Sequence, residues 1–400
     1  MFVSLGAGKN QIPLITALKN LQIPVIGIDQ NPNSIGKKYC DVFYQNSIYD
    51  KEKIIKLLRP YKNQLLGIYT RSFGKAIQIA NELAFLLELP HNPINAIQQY
   101  QDKKNIIKIA LHHRDLKTQK NMIENLNNAK TWIIKPKDSY CFYAKKNIIL
   151  EKNWDKVQPY LQNENFIVEP YYEGSEYIFF GVVIDGQLYP LLITQKERIL
   201  EGELIFCDFS HFFPNDLDPE TKYKIFQICQ YIVKKTEIQI GPFLAEFVVS
   251  KNEIFFIEAA PEIGGEGIPD FMFPEILNIP YFEMIVDLYS KKPIKNKNFY
   301  KELLYKKLLE KKEKSMLIQF ILQEESYFQN LIFPKELYMS PYYYYSEILK
   351  DPNTKTYYQN KNQDRLGFFV LSGKVPLEIL QKEKDIILKK TIINYSENSL

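Results

Sequence analysis

The stretch FFIEAAPEIGGEG, residues 255–267, begins as a buried apolar strand, ends in an acid, Glu258, and turns through Pro261 into a glycine-rich loop carrying two more acids. Just upstream, GPFLAEFVV (241–249) holds a second acid, Glu246, in equally apolar company. Side chains alternate along a strand, so Leu244, Glu246 and Val248 share one face, and on the return strand Ile254, Phe256 and Glu258 do the same. A three-residue turn at 251–253 sets Glu246 directly opposite Glu258, whereas a two-residue turn puts them on opposite faces. Two ionised carboxylates facing each other repel, and removing them from water is costly unless something compensates. A divalent cation compensates both. Hard oxygen ligands with room left for phosphate oxygens and water describe a nucleotide-bound Mg2+ better than Ca2+ or Zn2+. The alternative is that each acid pairs with one of the many lysines at the edge of the sheet.

The elements that position these acids can be traced along the chain. Residues 1–95 alternate apolar runs (MFVSLGAG, IPVIGID, LLGIYT) with helical patterns over about 10–20, from DKEKIIKLL and through GKAIQIANELAFLLEL. That alternation predicts an α/β domain with an open parallel sheet and right-handed crossovers. Gly6 and Gly8 end the first strand, where a helix N-terminus can accept an anion, but the third glycine of a dinucleotide fingerprint is missing and the pair reads as turn glycines. A boundary falls near 95. From 96 to 295 the strands TWIIKP, FIVEPYY, EYIFFGVVID, QLYPLLITQK, FLAEFVV and IFFIEAA, with helices near 104–112 and 219–235, predict antiparallel sheets and packed helices, IDGQLY supplying a hairpin turn. Residues 296–315 read as a solvated lysine-rich helix or linker. The rest of 296–400 reads as a small α+β unit containing RLGFFVLSG and the helix PLEILQKEKDIIL.

Composition excludes several classes. The 51 basic and 47 acidic residues nearly cancel, leaving +4, so nothing points to nucleic acid or to a membrane surface. No run approaches the roughly 18 apolar residues of a membrane span, and the N-terminus reads as a strand and not as a leader. Cys40, Cys141, Cys207 and Cys229 form no CxxC pair and no metal spacing with His91, His112, His113 or His211. Reduced thiols in a cytoplasmic protein are the expectation. His211 in SHFFP reads as a satisfied structural histidine.

Taken together, QDKKN, WIIKP, IVEPYYEGSEY, ITQKER, GPFLAEF, FFIEAAPEIGG and RLGFFVLSG occur in an order that resembles the ATP-grasp superfamily, of the carboxylate–amine ligase type that includes D-alanine ligase, biotin carboxylase and carbamoyl-phosphate synthetase. The resemblance covers nearly the whole chain. It implies a pre-ATP-grasp α/β domain (1–95), a two-lobed ATP-grasp domain (96–295) and a small C-terminal α+β domain (296–400). It also implies ATP and Mg2+ as cofactors, a small-molecule carboxylate and amine as substrates, and a homodimer as an expected assembly. By position, Lys103 and Lys135 approach the ATP phosphates. Glu169 meets the adenine amino group, the hinge backbone at Pro170, Tyr171 and Tyr172 reads the adenine edge, and Glu176 accepts the ribose hydroxyls. Glu246 and Glu258 match the metal-binding acids. Lys196 reaches the active site and Arg198 binds a substrate carboxylate, though either can also be an exposed strand charge.

Three departures accompany the resemblance. The loop after Lys135 is normally glycine-rich, yet residues 136–173 contain no glycine. Ala260 stands where an Asn commonly adds a ligand to the second metal ion. Glu262 stands where an Arg commonly steadies the phosphoryl intermediate, and reads either as a selector for a substrate amine or as a mark of lost catalysis. The resemblance nevertheless implies an ADP-forming ligase that activates a carboxylic acid as an acyl phosphate. The alternatives are a non-catalytic nucleotide-binding relative and an ATP-dependent phosphotransferase. Loops at 139–145, 196–212 and 262–274 are expected to set specificity.

Overall fold

Strands that are apolar on both faces need helices on both sides, and the first residues of the chain are covered in this way. The computed structural model describes residues 1–137, 148–199, 207–251, 253–322, 326–356 and 365–396. Its N-terminal sheet has four parallel strands in the order Val42–Gln45, Val25–Asp29, Phe2–Leu5 and Gly67–Tyr69. Val3 and Leu5 face a core with Ile54 and Leu83, while Phe2 faces the opposite core with Leu14 and Leu18. Helix Ile12–Asn20 starts with a proline in its first turn, and helix Lys51–Leu58 is capped by Asp50, whose carboxylate accepts the Lys53 N–H. Gly6 takes a positive φ of 98° at the end of its strand, and the next amide, Ala7 N–H, donates to the Asp29 carboxylate at 2.8 Å. The chain's own acid occupies that turn, as expected of turn glycines.

The central body is an eight-stranded antiparallel sheet in the order Glu253–Ala260, Ile240–Ser250, Ser175–Ile184, Gln187–Ile199, Cys207–Phe213, Ser315–Ile321, Gly367–Gly373 and Tyr343–Ile348. Asp185 and Gly186 join the strands ending at Ile184 and starting at Gln187 with φ of 52° and 74°, the two positive values a tight hairpin turn of this hand requires. Helix Pro219–Thr236, capped by Asp218, buries Ile225, Ile228 and Ile232 against one face. The last three strands of the sheet come from beyond residue 296, so the sheet runs without a break from the central region into the C-terminal one.

A separate three-stranded sheet, Ile149–Glu151, Trp132–Pro136 and Phe166–Pro170, packs Trp132 and Ile134 on Val157 of helix Trp154–Leu161. The four residues 171–174 link it to the large sheet, giving the two lobes with a hinge between them. The lysine-rich segment forms helix Lys297–Leu309, in which only Tyr300 and Leu304 are buried. Among the described residues no helix is long and apolar enough to cross a membrane.

Candidate functional site

The acidic hairpin holds its two carboxylates opposite each other by a route that differs from simple alternation. The strands stop at Ser250 and resume at Glu253, and these two residues are paired, so only two residues turn the chain. Phe247 pairs with Phe256, but Glu246 pairs with Glu258, because a β-bulge absorbs Ile257. The extra residue reverses the alternation, which puts Glu258 on the face of Glu246 and removes Phe256 from it. Phe256 instead meets Phe247 edge to face, ring centres 5.7 Å apart, in the main core. Of the two turn lengths the shorter is present, and the bulge corrects both the opposite faces expected of it and the shared face of Phe256 and Glu258, so that the acids face each other.

Both acids meet lysines, and these are lysines of the motifs. Lys103 Nζ lies 2.5 Å from Glu258 Oε2, and Lys196 Nζ lies 2.9 Å from Glu246 Oε2. Lys103 begins helix Lys103–Ala110, whose cap Asp102 accepts the Lys104 N–H and also pairs with Lys137 at 3.2 Å. The Lys103 N–H donates to the Lys137 carbonyl, which ties the helix start to the end of the strand carrying Lys135. Burial works to lower the Lys103 pKa, but Glu258, with Glu246 and Glu169, holds it above the ordinary value.

Lys135 and Glu169 form a buried ion pair across adjacent strands of the small sheet, Nζ to Oε2 2.5 Å. The other oxygen, Glu169 Oε1, is buried with no hydrogen-bond partner among the described residues. A buried carboxylate oxygen left in this way lacks a donor such as an amino group. It sits at the root of the hinge, where Tyr172 stacks on Phe255 with centres 4.5 Å apart and planes 11° from parallel.

Two clefts share the hinge residues Tyr171 and Tyr172. The larger, about 570 Å³, is lined by Thr131, Pro170, Lys251 and Phe255. The smaller, about 320 Å³, is lined by Glu176, Lys196, Arg198 and Gln381, and through Lys196, which bonds to Glu246, it adjoins the facing acids. Lys196 is 6% exposed, so it is no surface charge. Arg198 donates to Glu176 Oε1 at 2.5 Å and to Asp208 Oδ1 at 2.9 Å. Burial pushes the Glu176 carboxyl up, against the pull of Arg198 and Lys196.

Several site residues were not singled out from the sequence. Asp208 is 1% exposed and lies within reach of Lys196, Arg198 and Arg365. Arg365, at the head of RLGFFVLSG, donates to the Asp208 carbonyl at 2.6 Å and to Glu266 Oε1 at 2.9 Å, and lies over the Phe320 ring. His211 Nε2 bonds to Glu266, but its buried Nδ1 has no partner among the described residues, so this histidine is only half satisfied. Ligand atoms of Asp208, His211 and Glu266 lie within 4.8 Å of one another. The Arg365 guanidinium already supplies positive charge there, which disfavours a divalent cation.

Ala260 pairs with Leu244, so that position offers no ligand for a second metal ion. Glu262 is partly exposed and has no ion pair among the described residues. Burial first, then repulsion from Glu258, pushes its carboxyl up to about 7, while the Gly74 amide pulls the other way. The expected phosphate loop after Lys135 and the specificity loop at 139–145 fall largely on residues 138–147, outside the described residues, as do 200–206 of the loop at 196–212.

Residues 132–270 match the ATP-grasp domain family. The chain thus carries an ATP-grasp domain, and its mixed architecture, a parallel N-terminal sheet followed by the large antiparallel one, follows solved structures of that fold over its whole length. It is similar to the L-amino acid ligase of Bacillus licheniformis, with 16% identity, TM-score 0.77 and 99% of each chain covered. It is also similar to the phosphoribosylglycinamide synthetase of Anaerococcus prevotii, with 17% identity, TM-score 0.72 and 99% of each chain covered. A third similar structure is the biotin carboxylase domain of the Hydrogenobacter thermophilus 2-oxoglutarate carboxylase, in complex with MgADP and bicarbonate. Identity there is 14%, the TM-score is 0.67, and 98% of this chain and 90% of that one are covered. No curated protein matches the chain in sequence.

Proposed function

We propose that the protein is an ATP- and Mg2+-dependent ligase that converts a small carboxylic acid to an acyl phosphate and passes the acyl group to an amine, releasing ADP and phosphate. The observation that carries this reading is the facing of Glu246 and Glu258 on one sheet face, with Lys103 and Lys196 on their oxygens. Glu246 and Glu258 would hold Mg2+, which supplies charge neutralisation to the phosphate oxygens. Lys103 and Lys135 would bind the phosphates as point charges. Glu169 Oε1, buried and unpartnered among the described residues, fits the adenine amino group, with the backbone of Pro170, Tyr171 and Tyr172 beside it. Glu176 would accept the ribose hydroxyls, and Arg198 and Lys196 would orient the acid substrate. In such a site positioning and charge do most of the catalysis. Glu262, next to the metal acids, would face the amine.

A second reading, nucleotide binding without ligation, is favoured by Ala260 and Glu262, which leave one metal ligand and one positive charge missing. ADP formation from MgATP separates the two. For a ligase, a pool of small acids plus amines raises ADP release well above either pool alone, and Glu258→Gln abolishes the rise. Equal, low release under all conditions supports the second reading, and AMP as product rules out both.

A further inference from the structure

The structure assigns to Asp208 a positioning role: it is the fixed counter-ion that receives Lys196 and Arg198 when a nucleotide and its metal take Glu246 and Glu176 away from them. This rests on the proposed function in taking a magnesium nucleotide as the ligand, with Glu246 turned to its metal and Glu176 to its ribose.

Two cations are shared among three carboxylates. Lys196 Nζ is 2.9 Å from Glu246, 3.6 Å from Asp208 and 3.8 Å from Glu176. Arg198 is 2.5 Å from Glu176 and 2.9 Å from Asp208. The side chains of Glu176 and Glu246 remain 22% and 21% exposed, so they can meet a ligand, whereas Asp208 at 1% cannot. If Glu246 turns to a metal ion and Glu176 to ribose hydroxyls, both cations lose their shortest partners. A buried cation stripped of its partner is strongly unfavourable. Asp208 is already within reach of both, so each can be retained without a large movement.

The backbone is shaped for this. Asp208 pairs with Arg198 and His211 pairs with Lys196, with a β-bulge between Asp208 and Ser210. Regular alternation would put residues 208 and 211 on opposite faces, and the extra residue brings both onto the face that carries Lys196 and Arg198. Glu176 pairs with Lys196 and therefore shares that face. Arg365 fixes Asp208 from behind, donating to its carbonyl at 2.6 Å with a second contact to its carboxylate at 3.9 Å. The bulge and the arginine hold Asp208 buried beneath the two pairs, whose own acids Glu176 and Glu246 stay partly exposed.

The test is titration calorimetry of the full chain with ADP over a series of Mg2+ concentrations, together with melting of each ligand-free variant. Asp208→Asn leaves Lys196 and Arg198 dependent on Glu176 and Glu246. We expect the ADP dissociation constant to rise about tenfold and the half-saturating Mg2+ concentration to rise severalfold. Arg198→Gln frees Glu176 and lets Lys196 settle on Asp208, so the half-saturating Mg2+ falls. The double variant lies near wild type in its Mg2+ dependence. Glu197→Gln removes a negative charge one residue from Arg198 but bonded instead to Ser210 and near Lys384, and leaves the Mg2+ dependence unchanged. The inference is overturned if Asp208→Asn binds MgADP with the wild-type Mg2+ dependence, or if Glu197→Gln shifts that dependence as far as Asp208→Asn does. Should Asp208→Asn fail to fold, Arg198→Gln decides alone, and an unchanged or raised Mg2+ requirement refutes the role. Wild-type protein that takes up no MgADP refutes the nucleotide reading itself, an outcome distinct from these.

Discussion

Glu262 allows a prediction that needs no substrate. Its carboxyl is pushed from the ordinary 4.5 up to about 7, by burial first and by Glu258 second. In the unfolded chain the same group ionises near 4.5. Between those two values the folded protein holds a proton that the unfolded chain has released, so stability falls as pH rises through this window and levels off above 7. The shift corresponds to a ceiling of about 3 kcal/mol, at 1.36 kcal/mol per pH unit, reduced to the extent that water reaches the exposed part of the side chain. Glu262→Gln keeps the shape and removes the ionisation. At pH 8 and without metal the variant should melt higher than wild type, by on the order of 5 °C. At pH 5 the two should nearly coincide. Scanning calorimetry of both proteins from pH 5 to pH 8 measures this directly. A difference in melting temperature that stays constant across that range refutes the raised carboxyl at 262.

Other substitutions probe the frame around the site. Lys135→Met leaves Glu169 with neither oxygen paired inside the small lobe. A loss of roughly 3–5 kcal/mol is expected in urea unfolding, and Glu169→Gln on top of it should recover part of that loss. A loss under about 1 kcal/mol would mean that the pair behaves as a solvated one. Gly67→Ala places a methyl group 2.1 Å from the Tyr289 carbonyl oxygen and 2.4 Å from the Phe2 ring. Backbone cannot yield there as a flexible side chain could, so a destabilisation on the order of 1–3 kcal/mol or more is expected, read as a lower urea midpoint. A midpoint within error of wild type would show that the strand Gly67–Tyr69 can move away from the helix Tyr281–Leu288 and its end at Tyr289.

What was legible in the chain is what local chemistry encodes. Short apolar runs separated by helical periods announced the parallel sheet, and Asp185-Gly186 announced a hairpin of the antiparallel one, because two consecutive positive φ values suit few residue pairs. The strand Cys207–Phe213 went unread, since CDFSHFF has polar residues at 208, 210 and 211 that break simple alternation. The bulge after Asp208 explains the irregularity, and it becomes visible only once the neighbouring strand supplies a register. Likewise Ser315–Ile321 joins the large sheet through Cys207–Phe213, a pairing across about a hundred residues that no local pattern specifies. The facing of Glu246 and Glu258 depends on a two-residue turn and a bulge that compensate each other, so counting residues, which left the pairing open between two turn lengths, could not settle it.

The charged core shows why the remaining site residues were hidden. An Asp or Arg in a sequence is assigned to the surface by default, because burying it alone is so unfavourable. Asp208 and Arg365 escape that rule only in company: the acid is compensated by Lys196, Arg198 and Arg365 together, residues that lie 10 to 157 positions away along the chain. No single member is a stable choice without the others, so no single position carries the signal. The same interdependence is what makes the cluster suited to a charged ligand. A site whose internal cations and anions are already paired can exchange partners as a metal and a triphosphate enter, with the number of unpaired buried charges kept low throughout.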